Sequence, residues 1–203
     1  MNKRILSVFV LAGVASGALM AQPKTPPPDY FPVPMGATWQ YHTTTSMNTE
    51  MDMTRKVVDV KKQADGTYAV QVDAMTPDVT HMDYTKGNGW VLLHKTVMAT
   101  NNYTMEYAGP KKELMNPLKV GQTWEYKGKA GGYDIIESSK VTRAEKVKVP
   151  AGEFDAMVVE THANQGGNEY DMTQWYVNHI GAVKITTTGA MATTTELVDY
   201  KLR

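Results

Sequence analysis

The 203-residue chain contains no cysteine, so no disulfide staples it and no thiol sits near its N-terminus to carry a lipid anchor. Stability has to come from packing, which a chain of this length can supply within one domain. An excess of charge of either sign is also missing, with 21 Lys+Arg against 21 Asp+Glu. A neutral surface argues against nucleic acid as a partner and offers no electrostatic reason to lie on an anionic membrane. Helix-period apolar patterning is scarce. Beyond the first residues there is no apolar run long enough to cross a bilayer. Catalytic signatures are equally lacking. There is no Gly-x-Ser-x-Gly and no phosphate loop, and Gly128 to Gly132 reads as a hairpin turn. The five histidines, His42, His81, His94, His162 and His179, have no zinc-site spacing.

The N-terminus is where the chain departs from this evenness. Lys3 and Arg4 precede an apolar stretch at residues 5–14, and small residues follow, with Ala18 or Ala21 as the last residue before cleavage. This reads as a cleaved signal peptide, residues 1–21, and places the mature chain in the periplasm or outside the cell. Losing those two basic residues leaves 19 against 21 acidic ones, a formal charge near −2. Residues 22–34 (QPKTPPPDYFPVP) hold six of the ten prolines. Proline fixes φ and removes donors, so this segment reads as an extended tether. A single β-rich domain is expected over 35–203, with folding beginning near Phe31.

Period-two alternation dominates that domain. Tyr68, Val70, Val72 and Ala74 share one strand face, Tyr170, Met172 and Tyr176 another, and Val198, Tyr200 and Leu202 a third. Threonine runs at 43–45, 186–188 and 193–195 suit strands, because β-branching stiffens χ1 in the extended region. Turn signals separate the runs: Asp65-Gly66, Lys86-Gly87-Asn88-Gly89, Gly109-Pro110, Gly131-Gly132, Pro150-Ala151-Gly152, Gln165-Gly166-Gly167 and Thr188-Gly189. Only a short piece around Lys111 to Met115 suits a helix. The fold class is therefore all-β, an antiparallel meander forming a curled sheet or an open, barrel-like sandwich. Pro32 to Tyr41 (PVPMGATWQY) and Pro117 to Tyr126 (PLKVGQTWEY) match at Pro, Gly, Thr, Trp and Tyr with an offset of 85. Two similar halves sharing one sheet, about 30–112 and 113–203, are expected from this match.

Tyr30-Phe31-Pro32 leading to Gly36-x-x-Trp39-x-Tyr41, then Val147-x-Val149-Pro150-Ala151-Gly152-x-Phe154-Asp155, Trp175-Tyr176 and Gly181-x-Val183-Lys184 carry a resemblance. Together they resemble the DUF3108-like, also called TapB-like, group of secreted bacterial proteins. The resemblance implies an exported β-sheet protein of the cell envelope, with no catalytic residues to carry over. The Val-Pro-Ala-Gly-x-Phe element also makes sense alone. Pro150 presets a turn, Gly152 closes it at positive φ, and Phe154 re-enters the core.

Two candidate sites remain. Tryptophans anchor strands in a core more often than they bind, yet Trp39, Trp90, Trp124 and Trp175 are the candidate ligand-stacking residues. Methionine is abundant, at 14 residues, and Met47, Met51 and Met53 cluster. Thioethers at this spacing suit Cu(I), a soft ion, but methionine more often fills a core or lines an adaptable pocket. No cofactor is expected. The leading expectation is a non-catalytic envelope protein that binds a lipid, another apolar ligand or another envelope protein. A periplasmic Cu(I) protein and an unrecognised hydrolase are the alternatives.

Overall fold

A computed structural model describes residues 25–75, 79–99, 103–189 and 192–202, and the expected signal peptide lies outside them. Twelve strands follow one another without a helix among the described residues. The first six are β1 (Thr38–Thr45), β2 (Glu50–Lys62), β3 (Tyr68–Met75), β4 (Val79–Gly87), β5 (Trp90–Met98) and β6 (Thr104–Met115). The second six are β7 (Thr123–Ala130), β8 (Tyr133–Val149), β9 (Gly152–Gln165), β10 (Asn168–Val177), β11 (Gly181–Thr187) and β12 (Thr193–Lys201). Each strand pairs antiparallel with its neighbour in sequence, and β12 returns to β1, so the sheet closes into a barrel. Closure gives every strand two neighbours and leaves no free sheet edge. The all-β expectation holds, and the curled sheet is a closed one.

Inward and outward residues alternate as the sequence suggests. Val70, Val72 and Ala74 of β3 point into the core, as do Trp39, Tyr41 and Thr43 of β1. The outer face carries ion pairs such as Arg143 with Glu145 and Glu160, and Lys184 with Glu196. Most of the turn signals fall between strands. Gly131-Gly132, at φ of 58° and 86°, closes the β7–β8 hairpin, where two successive positive φ values match the twist of the strands.

Three expectations change. The stretch around Lys111 to Met115 is the end of β6 and not a helix, because its pairing with β5 satisfies the backbone. Gly109-Pro110 is no turn between strands but lies inside β6, where the register with β5 slips between Lys111 and Glu106. Val198 does not share a face with Tyr200. A bulge against β1 makes Leu197 and Asp199 the paired neighbours, leaving Leu197 fully buried and Val198 42% exposed.

The two halves correspond strand for strand in order, and β1 and β7 have identical lengths at the offset of 85. The entries to β1 and β7 repeat in detail. Gly36 donates to the Val57 carbonyl, as Gly121 does to that of Val141. Ala37 donates to Pro34, as Gln122 does to Lys119. Both glycines sit at positive φ, 78° and 90°, which is why this residue type recurs there.

Up-and-down order puts the connections after β2, β4, β6, β8 and β10 at one rim, together with the N-terminal segment. Residues 29–34, assigned on proline content to the tether, dock there. Tyr30 is 8% exposed and belongs to the core, and its amide donates to Asn116 Oδ1. Asp29 donates its amide to Asn178 Oδ1 and receives the amide of His179 on its carbonyl. Its carboxylate accepts from Lys86 Nζ at 2.6 Å and Asn116 Nδ2 at 2.8 Å. Phe31 packs against Tyr84 with ring centroids 5.2 Å apart.

Burial alone would push the Asp29 carboxyl up, but the hydrogen bonds from Lys86 and Asn116 outweigh it and hold the group below its ordinary value. A depressed carboxylate stabilises the docked segment above the ordinary value of 3.8 and loses that contribution as pH falls through the folded value. Docking of residues 29–34 should therefore weaken in acid below about pH 4. The Tyr30 and Phe31 amide signals in NMR should report this loosening, and Asp29→Asn should remove its pH dependence.

Candidate functional site: the barrel interior

Eight strands give a barrel just wide enough for its own side chains, so twelve enclose more space than ordinary residues fill. Large aromatics take up much of it. Trp39, Tyr41, Tyr84, Trp124, Tyr126 and Tyr176 are all buried. A cavity of about 150 Å³ remains. Phe31, Pro32 and Val33 of the docked segment form part of its wall, with Ile180 of the β10–β11 connection. The strands contribute Tyr41, Val57, Val72, Met82, Tyr84, Leu93 and Tyr176. Trp39 and Tyr41 tie that wall together, donating from the indole nitrogen to the Ile180 carbonyl at 2.7 Å and from the hydroxyl to that of Ala182 at 2.9 Å.

Three ionisable side chains break this apolar lining: Arg55, Lys111 and Glu113. Arg55 follows the alternation of β2, in which Met51, Met53, Arg55 and Val57 share the inward face. Its cross-strand neighbours are Trp39 and the small Ala74, which leaves room for the guanidinium. Arg55 is half-buried and lines the cavity. The guanidinium carbon lies 5.7 Å from the centre of the Tyr41 ring. Nε has no hydrogen-bond partner, and no carboxylate among the described residues forms an ion pair with Arg55.

Lys111 is differently placed. Its Nζ lies 3.0 Å from Glu137 and 3.3 Å from Glu113. Burial opposes its charge, but the two carboxylates prevail and hold its pKa well above the ordinary value. Burial raises the Glu137 carboxyl despite Lys111 beside it. The second Glu113 oxygen sits within ion-pair range of Lys111 without a hydrogen-bond partner. A β-bulge explains how Glu113 enters the interior. Leu92 pairs with Lys112 and Val91 with Leu114, so Glu113 is an extra residue. The kink lets Glu113 and the fully buried Leu114 both face inward.

The tyrosines of the cavity stay protonated. Burial raises Tyr84 and Tyr176 far above the ordinary phenol range, and raises the nearby Tyr107 to about 12. They are therefore neutral hydrogen-bonding groups at any physiological pH and cannot balance Arg55.

The structure distributes the expected site residues widely. Of the four tryptophans, Trp39 lines the cavity and Trp124 is buried in the core. Trp90 lies under Lys112, 5.1 Å from its ring centre. Trp175 donates to Glu145 at 2.7 Å and is stacked by Lys184 on the outer face. The tryptophans are thus not gathered at one place. Met51 and Met53 face inward on β2, whereas Met47 sits in the β1–β2 turn and is 72% exposed. The three do not share a strand face. No cluster of three or more His, Asp or Glu suited to a metal ion occurs among the described residues. Histidines pair with carboxylates or a hydroxyl, His162 with Asp171 at 2.8 Å and His81 with both Asp73 and Asp83, each at 2.8 Å.

No family model matches the sequence, so the DUF3108-like resemblance rests on its motif residues alone. No curated protein matches it either. Solved structures do share the fold. A candidate lipoprotein from Parabacteroides distasonis superposes with a TM-score of 0.57 at 16% identity, covering 87% of this chain and 100% of that one. A candidate exported protein with a YmcC-like fold from Bacteroides fragilis gives 0.52 at 15% identity, covering 86% and 99%. At these identities the likeness is one of architecture.

The two interior cations should respond oppositely to removal. Lys111→Met leaves Glu113 and Glu137 without a counter-charge and should cost about 3–5 kcal/mol in urea unfolding. Arg55→Met removes a guanidinium whose Nε has no acceptor and which makes no ion pair with Glu113, and should raise stability by about 0.5–2 kcal/mol. A destabilised Arg55→Met would mean that the guanidinium is satisfied within the fold.

Proposed function

We propose that this protein is an exported, non-catalytic barrel of the cell envelope that binds a small ligand with an apolar body in its interior. The observation that carries this reading is the partly open cavity of about 150 Å³, lined mostly by aromatic and aliphatic side chains, among them those of residues 31–33 at one rim. An apolar cavity of this volume can accept a molecule the size of benzene. Filling it recovers dispersion contacts that the empty wall forgoes. A few polar groups converge on it, which is the composition of a ligand site.

Several features support the envelope location. The first 21 residues have the pattern of an export signal, and the DUF3108-like motifs belong to a group of secreted proteins. Two proteins of similar fold are described as a candidate lipoprotein and a candidate exported protein. The ion pairs on the outer face suit a barrel surrounded by water, since a lipid-facing barrel presents an apolar band outward. A catalytic role has no such support, because the described polar groups of the cavity include no paired nucleophile and base.

Native mass spectrometry tests the reading. The protein purified from the periplasm should carry extra mass matching a small organic molecule. Val72→Phe, which fills the cavity from β3, should abolish that mass while its urea midpoint shows that it still folds. A bare wild-type protein, or an unchanged adduct in the folded variant, would overturn the proposal.

A further inference from the structure

Arg55 is the anomaly of the interior. An ionised group taken out of water costs several kcal/mol unless it is paired, and native proteins pair nearly all such charges. Here the guanidinium has a buried Nε with no acceptor and no carboxylate in contact. Glu113 adds favourable charge to Arg55 but makes no ion pair with it, and lies 3.3 Å from Lys111, which also holds Glu137 at 3.0 Å. The tyrosines around it are neutral donors. Tyr41 offers its ring face, which orients a guanidinium without neutralising it. Guanidinium cannot shed its proton to escape the cost.

The Arg55 Nε can find an acceptor on a ligand that enters the cavity Arg55 lines. Resting on the reading of that cavity as a ligand site, we infer that its ligand is a small organic carboxylate with an apolar body of ring or branched-chain size, its carboxylate paired with Arg55. The planar fork matches a carboxylate through two parallel hydrogen bonds. An Nε left open is one arm of such a pair. The apolar body then lies against Val57, Val72, Met82 and Leu93, which line the same space. Lys111 completes the selection from the other side. Its charge beside Glu113 offsets part of the repulsion that this carboxylate exerts on an incoming acid. The flanking residues fit this role, because Ala74 opposite Arg55 keeps the approach open and Trp39 on the other side fixes its edge.

NMR titration of the purified protein with benzoate, isovalerate, benzyl alcohol and inorganic phosphate tests the assignment. The acids should shift the amides of Arg55, Ala74 and Val72 and bind at least tenfold more tightly than benzyl alcohol or phosphate. Arg55→Lys should weaken the acids at least tenfold and leave benzyl alcohol unchanged, since it keeps the charge but loses the fork. Benzyl alcohol binding as tightly as benzoate would remove the carboxylate and leave the cavity reading standing. Phosphate binding as tightly as benzoate would remove the apolar body. Silence from the acids and from benzyl alcohol alike would overturn both the assignment and the reading beneath it.

Discussion

Closing a sheet of twelve strands gives every strand two neighbours, with β6 and β7 meeting at a single paired position, and creates a second problem, an interior too wide for aliphatic side chains to fill. Most of the molecule can be understood as the answer to that width. Indole and phenol side chains fill the interior from β1, β4, β7 and β10, and those of β1 donate to carbonyls near β11, as Trp39 does at Ile180 and Tyr41 at Ala182. Threonine and serine pairs complete the polar layers. Thr43 meets Thr195, and Ser139 meets Thr161, each at 2.8 Å between hydroxyls. Such matched hydroxyls satisfy one another and cost little to bury, contributing about 1 kcal/mol per pair. The docked segment then stops one rim.

What this answer leaves over is what looks functional. The residual cavity contains a guanidinium whose Nε has no acceptor, while the other interior cation, Lys111, has two carboxylates within ion-pair range. That contrast matters more than the presence of polar groups as such. Lys111 shows that the barrel can pair a buried cation. Arg55, on the same interior wall, goes without. A protein tends to keep a locally unfavourable group where function requires it, at a cost in stability.

Much of the architecture was legible in the residues, because alternation along a strand is a direct record of which side faces in. Val70, Val72 and Ala74 are the clearest case. Arg55 was also legible in principle, since the run Met51, Met53, Arg55, Val57 places an arginine in an otherwise apolar register. Bulges were not legible. One extra residue at Glu113 and another at Val198 reverse the parity on which period-two reasoning depends, and nothing local in either stretch announces it. The apparent helix at Lys111 to Met115 came from the same cause, since two inward residues side by side imitate helical spacing. The proline-rich segment misled in another way. Proline dictated its extended backbone, while its docking depends on Asn116, Asn178 and Lys86, residues distant in sequence.

The repeated entry into β1 and β7 has a topological meaning. Residues 32–37 stand before β1 as residues 117–122 stand between β6 and β7, with the same hydrogen bonds and the same glycine. Leu202, just past β12, lines the same surface hollow as Asp29 and Pro32. The closed barrel thus has two matching junctions, at the entries to β1 and β7. Chain order matters little to such an object. A chain begun at residue 117 and joined from 202 to 29 would trace the same barrel, with the present N-terminal stopper turned into an ordinary loop.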